Sequence, residues 1–433
     1  MTDKSHSVAY VRSEMLDQQP PPASQAGVVK WLRENLFPDV MNSILTIVAL
    51  IVIYNLLTGL LPWLLGGVWQ ADSIRDCRAI LADAGRDVGG CFAVLTERWN
   101  QLLFGFKYPP DQYWRPAMAF LLLAFAAAPV LFSSLPRKML YFTAIYPFLA
   151  FWLIWGGTIL TPIVAMAGFV LGYIAFTKVE PRGFAMGLGA AVVAAVGTWL
   201  IGGLISGAAP GLLAFEPVPS RDMGGFMLNF ILGTVCVSLS LPIGIVLALG
   251  RQSDMPIIKI ICVVFIEFIR GVPLITLLFV ANVVLAYFLP PGTNFDLILR
   301  VIIMITLFSS AYIAEVIRGG LAALPRGQYE AADSLGLDYA QATRLIILPQ
   351  ALKISIPGIV NVAVGLFKDT TLVSVISMFD LVGMIRGPIL ASTEWNGVYW
   401  ELWGFAILMF FPVCYGISQY SQWLERQLDT GHR

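Results

Sequence analysis

Apolar residues fall in runs close to the length of one bilayer crossing: Asn42–Leu65, Pro116–Leu135, Met139–Ile159, Thr161–Phe176, Phe184–Ile205, Phe226–Leu249, Pro273–Leu289, Phe295–Ile317, Ile354–Ile385 and Val398–Gln419. A helix needs about 20 predominantly apolar residues to cross the hydrocarbon. These runs are too continuous to be divided into the cores and loops of soluble domains. The pattern predicts an all-α, polytopic integral membrane protein with about ten transmembrane helices. Two places complicate it. The spans on either side of Gly156–Pro162 are separated by almost no polar sequence. Ile354–Ile385 is too long for one straight crossing, and Pro357 and the polar group Lys368-Asp369-Thr370-Thr371 are predicted to interrupt it.

The polar positions organise the rest. Residues 1–27 are polar, with Pro20, Pro21 and Pro22 among them, and read as a disordered tail without a secretory-signal pattern. In Val28–Phe37, the residues Val28, Trp31, Leu32 and Leu36 share a helical face opposite Lys30, Arg33 and Glu34, as in a helix lying at the membrane interface. One long polar insert, near residues 69–115, separates the first two runs. Lys and Arg concentrate on alternate short connections, at Arg137-Lys138, Lys178 to Arg182, Arg251 to Lys259 and Arg318 to Lys353. By the positive-inside rule these face the cytoplasm, which places both termini there and the insert outside. The arginines of the insert are matched by Asp72, Asp76, Asp83, Asp87, Glu97 and Asp111, and long loops translocate with little regard to charge.

Composition agrees with the pattern. Hydrophobic residues make up 58% of the chain and charged residues 12%, against about 25% in soluble domains, and the mean hydropathy is +0.78. The formal net charge is zero, so nothing points to nucleic acid; the bilayer is the predicted partner. Cys236, Cys262 and Cys414 sit in apolar runs and read as small hydrophobes. Cys77 and Cys91 lie in the insert instead, where an oxidising exterior permits a disulfide. Both histidines, His6 and His432, are terminal, and no nucleophile–base pair, metal cluster or G-x-x-x-x-G-K-[ST] loop is present. No catalytic, cofactor or metal site is therefore predicted on this chain.

Charge near the hydrocarbon is costly, about 2.5–3.5 kcal/mol per group, and tends to mark function. Residues 28–222 carry almost none of it, whereas residues 223–425 carry most, so the function is sought after Met223. Glu267 precedes Arg270 by three residues, and Glu315 precedes Arg318 by three, a spacing that pairs charges along a helix. Two readings are open: helix-end anchoring, or a ring of charges at an inner gate. Asn361, Gly365 and Lys368/Asp369 share a helical face. Asp369, beside Thr371, either meets the amino group of a substrate or pairs with Lys368.

Near residues 319–350 the chain reads as two short helices at an elbow. Ala331, Ala332 and Ser334 give the first a small-residue face, and Gly336 takes the position just past its end that glycine favours. Asp338 caps the second with Gln341 placed as in a capping box, and that helix is expected to end at Pro349. Glu330-Ala331-Ala332, three residues, Gly336, nine residues and then Ile346-Ile347-Leu348-Pro349 resembles the EAA loop of ABC importer permeases at full spacing. Glu267-Phe268-Ile269-Arg270-Gly271-Val272-Pro273, Arg318-Gly319-Gly320, Leu348-Pro349-Gln350-Ala351-Leu352-Lys353 and Phe367-Lys368-Asp369-Thr370-Thr371-Leu372-Val373-Ser374 narrow the resemblance to the polar amino-acid permeases. The additional N-terminal spans and the Cys-bearing insert resemble the longer permease of general L-amino-acid systems of the Aap/Bzt type.

The family resemblance covers about Phe226 to the C-terminus, the likeness to the longer permease extends thinly to the whole chain, and Thr161–Ile205 follows no family pattern. It implies a permease core in the last five spans, with Glu330, Ala331, Ala332, Gly336, Leu348 and Pro349 in the loop that engages an ATPase. ATP and Mg then belong to a partner, not to this chain. The partners it implies are a homologous permease, two cytoplasmic ATPase subunits, a periplasmic binding protein and an amino-acid substrate, in a bacterial inner membrane. A secondary, ion-coupled transporter is the rival reading, opposed by the elbow and by the lack of two halves with matching broken spans. A membrane-embedded enzyme is opposed by the missing catalytic constellation.

Overall fold

The computed structural model describes residues 27–86, 88–208, 211, 213–284, 287 and 295–428. The expected tail lies outside them up to residue 26. The described elements are helical, and nine helices are long and apolar enough to cross a membrane, or up to ten if a bent pair counts as one span.

The chain forms two compact units. The first, within Met1–Val68 and Leu81–Gly90, holds α1 (Gly27–Asn35) and α2 (Val40–Leu65). Helix α1 exposes Val28, Trp31 and Leu32. Asp39 caps α2 by accepting the Asn42 N–H at 2.8 Å, and Thr46 Oγ1 donates to the Leu36 carbonyl at 2.7 Å. None of the α2 side chains is buried, as suits a helix solvated by lipid.

The second unit, Trp69–Ile80 and Cys91–Arg433, holds the remaining spans. Helix α3 (Ile74–Asp83) starts in it, followed by α4 (Ala93–Glu97) and α5 (Trp99–Phe104). Next come two hairpins, α6 (Trp114–Leu131) with α7 (Leu140–Trp155), and α8 (Leu160–Val179) with α9 (Phe184–Ala208). Tyr146 donates to the Ala119 carbonyl at 2.9 Å across the first, and Trp199 Nε1 to the Ala165 carbonyl at 3.1 Å across the second. Arg115 is buried where α6 meets the end of α7, and donates to the carbonyls of Leu153 at 2.7 Å and Glu216 at 3.0 Å.

The rest of the unit is built on α10 (Gly225–Gln252), α13 (Leu297–Ala322), α16 (Leu348–Asp369) and α18 (Tyr399–Leu428). Leu228, Leu232 and Cys236 of α10 share one buried cluster with Ile298, Val301 and Ile305 of α13. Small residues set the spacing between α13 and α16: a Cβ on Gly320 would lie 2.6 Å from the Ala351 carbonyl oxygen.

Between α10 and α13 the expected span from Pro273 is helical over Leu274–Val284, its expected end at Leu289 lies outside the described residues, and a further apolar helix precedes it. Helix α11 (Pro256–Gly271) is followed by α12 (Leu274–Phe279), and the pair Pro256–Gly271 and Leu274–Val284 is bent by 101°. Pro273 causes the break: it offers no N–H and holds Val272 extended at φ −108°, ψ 132°. Of the two interruptions expected in Ile354–Ile385, the one at Pro357 is absent, because α16 runs through it, whereas the polar group does end the α-helix, which gives way at Asp369 to a 3₁₀ turn over Thr370–Ile376. Neighbouring helices tolerate a proline in a span by satisfying the freed backbone groups.

Candidate functional site

Four groups of predicted residues occupy separate places in the second unit. The elbow after α13 begins with α14 (Arg326–Ser334). Gly336 stands at φ +71°, its N–H bonds to the Asp333 carbonyl at 2.9 Å, and the Leu337 N–H bonds to the Ala332 carbonyl at 3.3 Å. These paired bonds make a Schellman cap, which needs a left-handed residue at this point. Asp338 then caps α15 (Tyr339–Ala342) by accepting the Gln341 N–H at 2.7 Å.

The second elbow helix does not end at Pro349. It continues through a π turn at Thr343–Ile347 into α16, and the change of hydrogen-bond register there accommodates Pro349, which has no N–H to donate. The predicted small-residue face is divided as well. Ala332 is buried against the chain while Glu330 and Ala331 stay exposed. The apolar surface that the elbow presents comes instead from Leu335, 73% exposed, and Tyr339, 69% exposed. Gln350 Nε2 donates to Gln328 Oε1 at 2.9 Å, joining α14 to the first turn of α16. Leu321, Leu324, Ile347 and Ala351 pack in one cluster beneath the elbow.

The two Glu–Arg repeats meet in one charge cluster centred on Glu315. Arg318 Nη2 lies 2.6 Å and Arg270 Nη1 3.5 Å from its carboxylate. Arg251, at the end of α10, completes the cluster, 3.2 Å from Glu315 and 2.8 Å from Glu267. Sequence spacing could not find Arg251, which comes from a different helix. Arg270 also lies over the Tyr312 ring at 5.6 Å, an arrangement that stabilises the cation on the ring face.

Lys368 and Asp369 end α16, and no ion pair joins them among the described residues. Asn361 and Lys368 are exposed, and a Cβ on Gly365 would meet nothing within 4 Å. That face of α16 is therefore left uncovered by the described residues. Thr371 Oγ1 donates to the Lys368 carbonyl at 2.9 Å.

Behind this face lies a buried network absent from the sequence reading. Asn229 Nδ2 donates to Thr370 Oγ1 and to Asp380 Oδ2, both at 3.0 Å, and Asn229 Oδ1 accepts the Leu381 N–H at 3.1 Å. Asp380 caps α17 (Leu381–Met384) by accepting the Gly383 N–H at 2.9 Å. Burial pushes the Asp380 carboxyl up from 3.8 to about 6, against the bonds from Asn229, Gly383 and Val382 that favour its charge. In sequence, the signal for it is only a lone Asp before a short apolar run.

Cys77 and Cys91 are joined as a disulfide, with Cα atoms 5.9 Å apart and both residues buried.

Residues 240–428 match the family model described as binding-protein-dependent transport system inner membrane component. The chain is 53% identical over 433 residues to the glutamate/glutamine/aspartate/asparagine transport system permease protein BztC of Rhodobacter capsulatus, across 98% of this chain and 99% of that protein. It is 37% identical over 423 residues to the inner membrane amino-acid ABC transporter permease protein YhdY of Escherichia coli, across 96% and 98% of the two chains. It also aligns, at 32% identity and a TM-score of 0.42, with a chain of a crystal structure of an amino acid ABC transporter with histidines, covering 47% of this chain and 92% of that one. Near full-length similarity to two amino-acid permeases, together with the family match across the helices that carry the elbow, makes this chain a member of the polar amino-acid ABC transporter permeases, the multi-pass inner-membrane transport subunit of a binding-protein-dependent amino-acid importer.

Proposed function

We propose that this permease carries L-amino acids of the acidic and amide class, glutamate, glutamine, aspartate and asparagine, which are those named for the Rhodobacter capsulatus relative. It works beside a homologous permease chain, with two ATPase subunits below and a periplasmic binding protein above. ATP and Mg act on the ATPase, and this chain supplies the path and the mechanical coupling. Its N- and C-termini face the cytoplasm and the Cys77–Cys91 insert faces the periplasm. Residues 223–425 are the permease core, and residues 28–222 form an additional membrane region ahead of it.

The observation that carries this reading is the capped elbow at Gly336 and its tie to α16 through Gln328 and Gln350. A convex turn exposing Leu335 and Tyr339 suits insertion into a groove of the ATPase. Motion imposed there passes directly into α16, because α15 and α16 are joined by helical turns without a loop. The far end of α16 carries Lys368 and Asp369, and the 3₁₀ turn after it Thr371, and these line the substrate path. The cluster of Glu267, Arg270, Glu315, Arg318 and Arg251 forms the inner gate, where Glu315 exchanges arginine partners as the ATPases close.

The test is reconstitution of the complete transporter with this chain and measurement of ATP-dependent uptake over a panel of amino acids. Uptake of the acidic and amide amino acids, blocked by Glu330→Arg through loss of the bound ATPase, is the expected result. Uptake driven by an ion gradient without the ATPase overturns the reading.

A further inference from the structure

Residues 69–80 and 91–107 make a series of contacts with the end of the permease core opposite the elbow. The Cys91 N–H donates at 2.8 Å to Glu401 Oε1, a buried carboxylate in the first turn of α18. Arg98 Nη2 lies 2.7 Å from Glu394, whose backbone carbonyl accepts the Ile74 N–H at 2.9 Å. Trp99 meets Phe405 edge-on at 5.7 Å. Further along, a Cβ on Gly105 would lie 2.8 Å from the Gly224 Cα, and Phe106 meets Phe379 at 5.7 Å. The Gly225 N–H donates to the Phe379 carbonyl at 2.8 Å, next to the Asp380–Asn229–Thr370 network.

The two segments, joined by the Cys77–Cys91 bond into one strap, therefore touch the start of α18, the loop at Glu394, the start of α10 and the loop at Phe379. Between these points lie residues 377–398, which follow directly on the 3₁₀ turn after Asp369. The strap holds a buried carboxylate through a backbone N–H, and the Cys77–Cys91 bond fixes the residue that donates it. A buried carboxylate deprived of its donor is destabilised strongly enough to reorganise its surroundings.

We propose that the disulfide-closed strap is a clamp on the outer gate: by engaging Glu401 and Glu394 it positions residues 377–398 against α10, and tight coupling of ATP hydrolysis to import depends on it. Glu401 is a positioning residue in this scheme, acting through the loop and not on substrate. The proposal rests on the orientation and function given above.

The experiment uses the complete transporter, with both permease chains, the ATPase and the binding protein, in proteoliposomes. Cys77→Ser/Cys91→Ser and Glu401→Ala are compared with the parent by backbone hydrogen exchange without substrate, and by labelled glutamate imported per ATP hydrolysed. The expected result in both variants is severalfold faster exchange across 377–398 and a severalfold lower yield of import per ATP, with the ATPase still bound. Should those variants fail to assemble, Arg98→Glu loosens the clamp, and adding Glu394→Arg restores both readouts by reversing the pair. Unchanged exchange across 377–398, or faster exchange with import per ATP at the parent level, overturns the clamp. If the parent imports no amino acid with ATP, it is the functional reading that fails. The exchange arm needs no substrate and judges the clamp by itself.

Discussion

The side-chain amide of Gln350 donates to the side-chain oxygen of Gln328 at 2.9 Å and to the Ile346 carbonyl at the same distance. One residue thus closes the first turn of α16 and holds the elbow helix α14 to it. A partner that pushes on the elbow then moves the span without first deforming the joint.

Gln350→Leu keeps the volume and removes the tie. A side-chain hydrogen bond contributes about 1 kcal/mol net, which is about fivefold in an equilibrium. Substrate-stimulated ATP hydrolysis in the reconstituted complex is expected to fall by about that factor. Gln328→Leu should cause a similar loss, and the double variant little more, because both remove one interaction. Fully additive losses in this cycle would show that the two side chains act separately.

Gly336 isolates backbone conformation from packing. Its φ is +71°, and a Cβ built on it meets nothing within 4 Å. A side chain there is opposed only by the left-handed conformation, at about 1–2 kcal/mol and more for a β-branched residue. Gly336→Val is expected to abolish transport while the chain still inserts and assembles. Gly336→Asn, which tolerates this conformation, should keep part of it. Normal substrate-stimulated ATPase activity in the Val variant contradicts the account.

What the sequence revealed and what it hid divide along physical lines. Gly336 and Asp338 were legible because helix caps are local: the residue types and their spacing specify the geometry almost alone. The spans were legible from apolar length. The bend at Pro273 was not legible because Pro256–Gly271, though apolar, is shorter than one crossing and carries Lys259, Glu267 and Arg270, so its pattern does not mark it as half of a broken span. Arg251, Glu401 and the Asn229–Asp380 pair were invisible for a different reason. Each acts through a residue far away in the chain, and a single sequence carries no record of such pairings.

Asp380 gives a pH dependence with a defined sign. Its carboxyl titrates at about 6 in the folded chain against an ordinary value of 3.8, so the folded state holds its proton more tightly. Its contribution to stability is full below pH 3.8 and is lost as pH rises to about 6, a change of about 3 kcal/mol. Thermal unfolding of the detergent-solubilised complex from pH 4 to 7 should show this component. Asp380→Asn, which keeps an acceptor and cannot ionise, should flatten it. An identical pH profile in the variant would assign the slope to other groups.

The disulfide predicts a labelling pattern. Closing a loop of this length stabilises a chain by about 3 kcal/mol in the chain-entropy model. In intact cells an impermeant thiol reagent should label neither Cys77 nor Cys91 until a reductant is added, and then both. Labelling of both without reduction would falsify the bond. Failure to label after reduction in inside-closed cells, with labelling in inverted vesicles, would reverse the proposed orientation.

The substrate path makes the sharpest demand on the two charges at the end of α16. Lys368 is exposed, Asp369 is partly so, and neither has an ion-pair partner among the described residues, so both remain available to a zwitterion. The face they share with Asn361 and Gly365 is left uncovered by the described residues, as the proposed path beside a second permease would require. In the proposed path a substrate carboxylate would meet Lys368, and its α-amino group Asp369, with the hydroxyl of Thr371 alongside. Lys368→Gln should then weaken uptake of glutamate and aspartate more than that of glutamine and asparagine, because an acidic substrate loses the attraction of its second carboxylate. Asp369→Asn should weaken all four to a similar degree, since each carries the same α-amino group. Competition uptake with the four amino acids, with bound ATPase measured in parallel, separates the two patterns. An unchanged selectivity profile in both variants, with a less stable complex, would assign the pair to helix packing and remove it from the path.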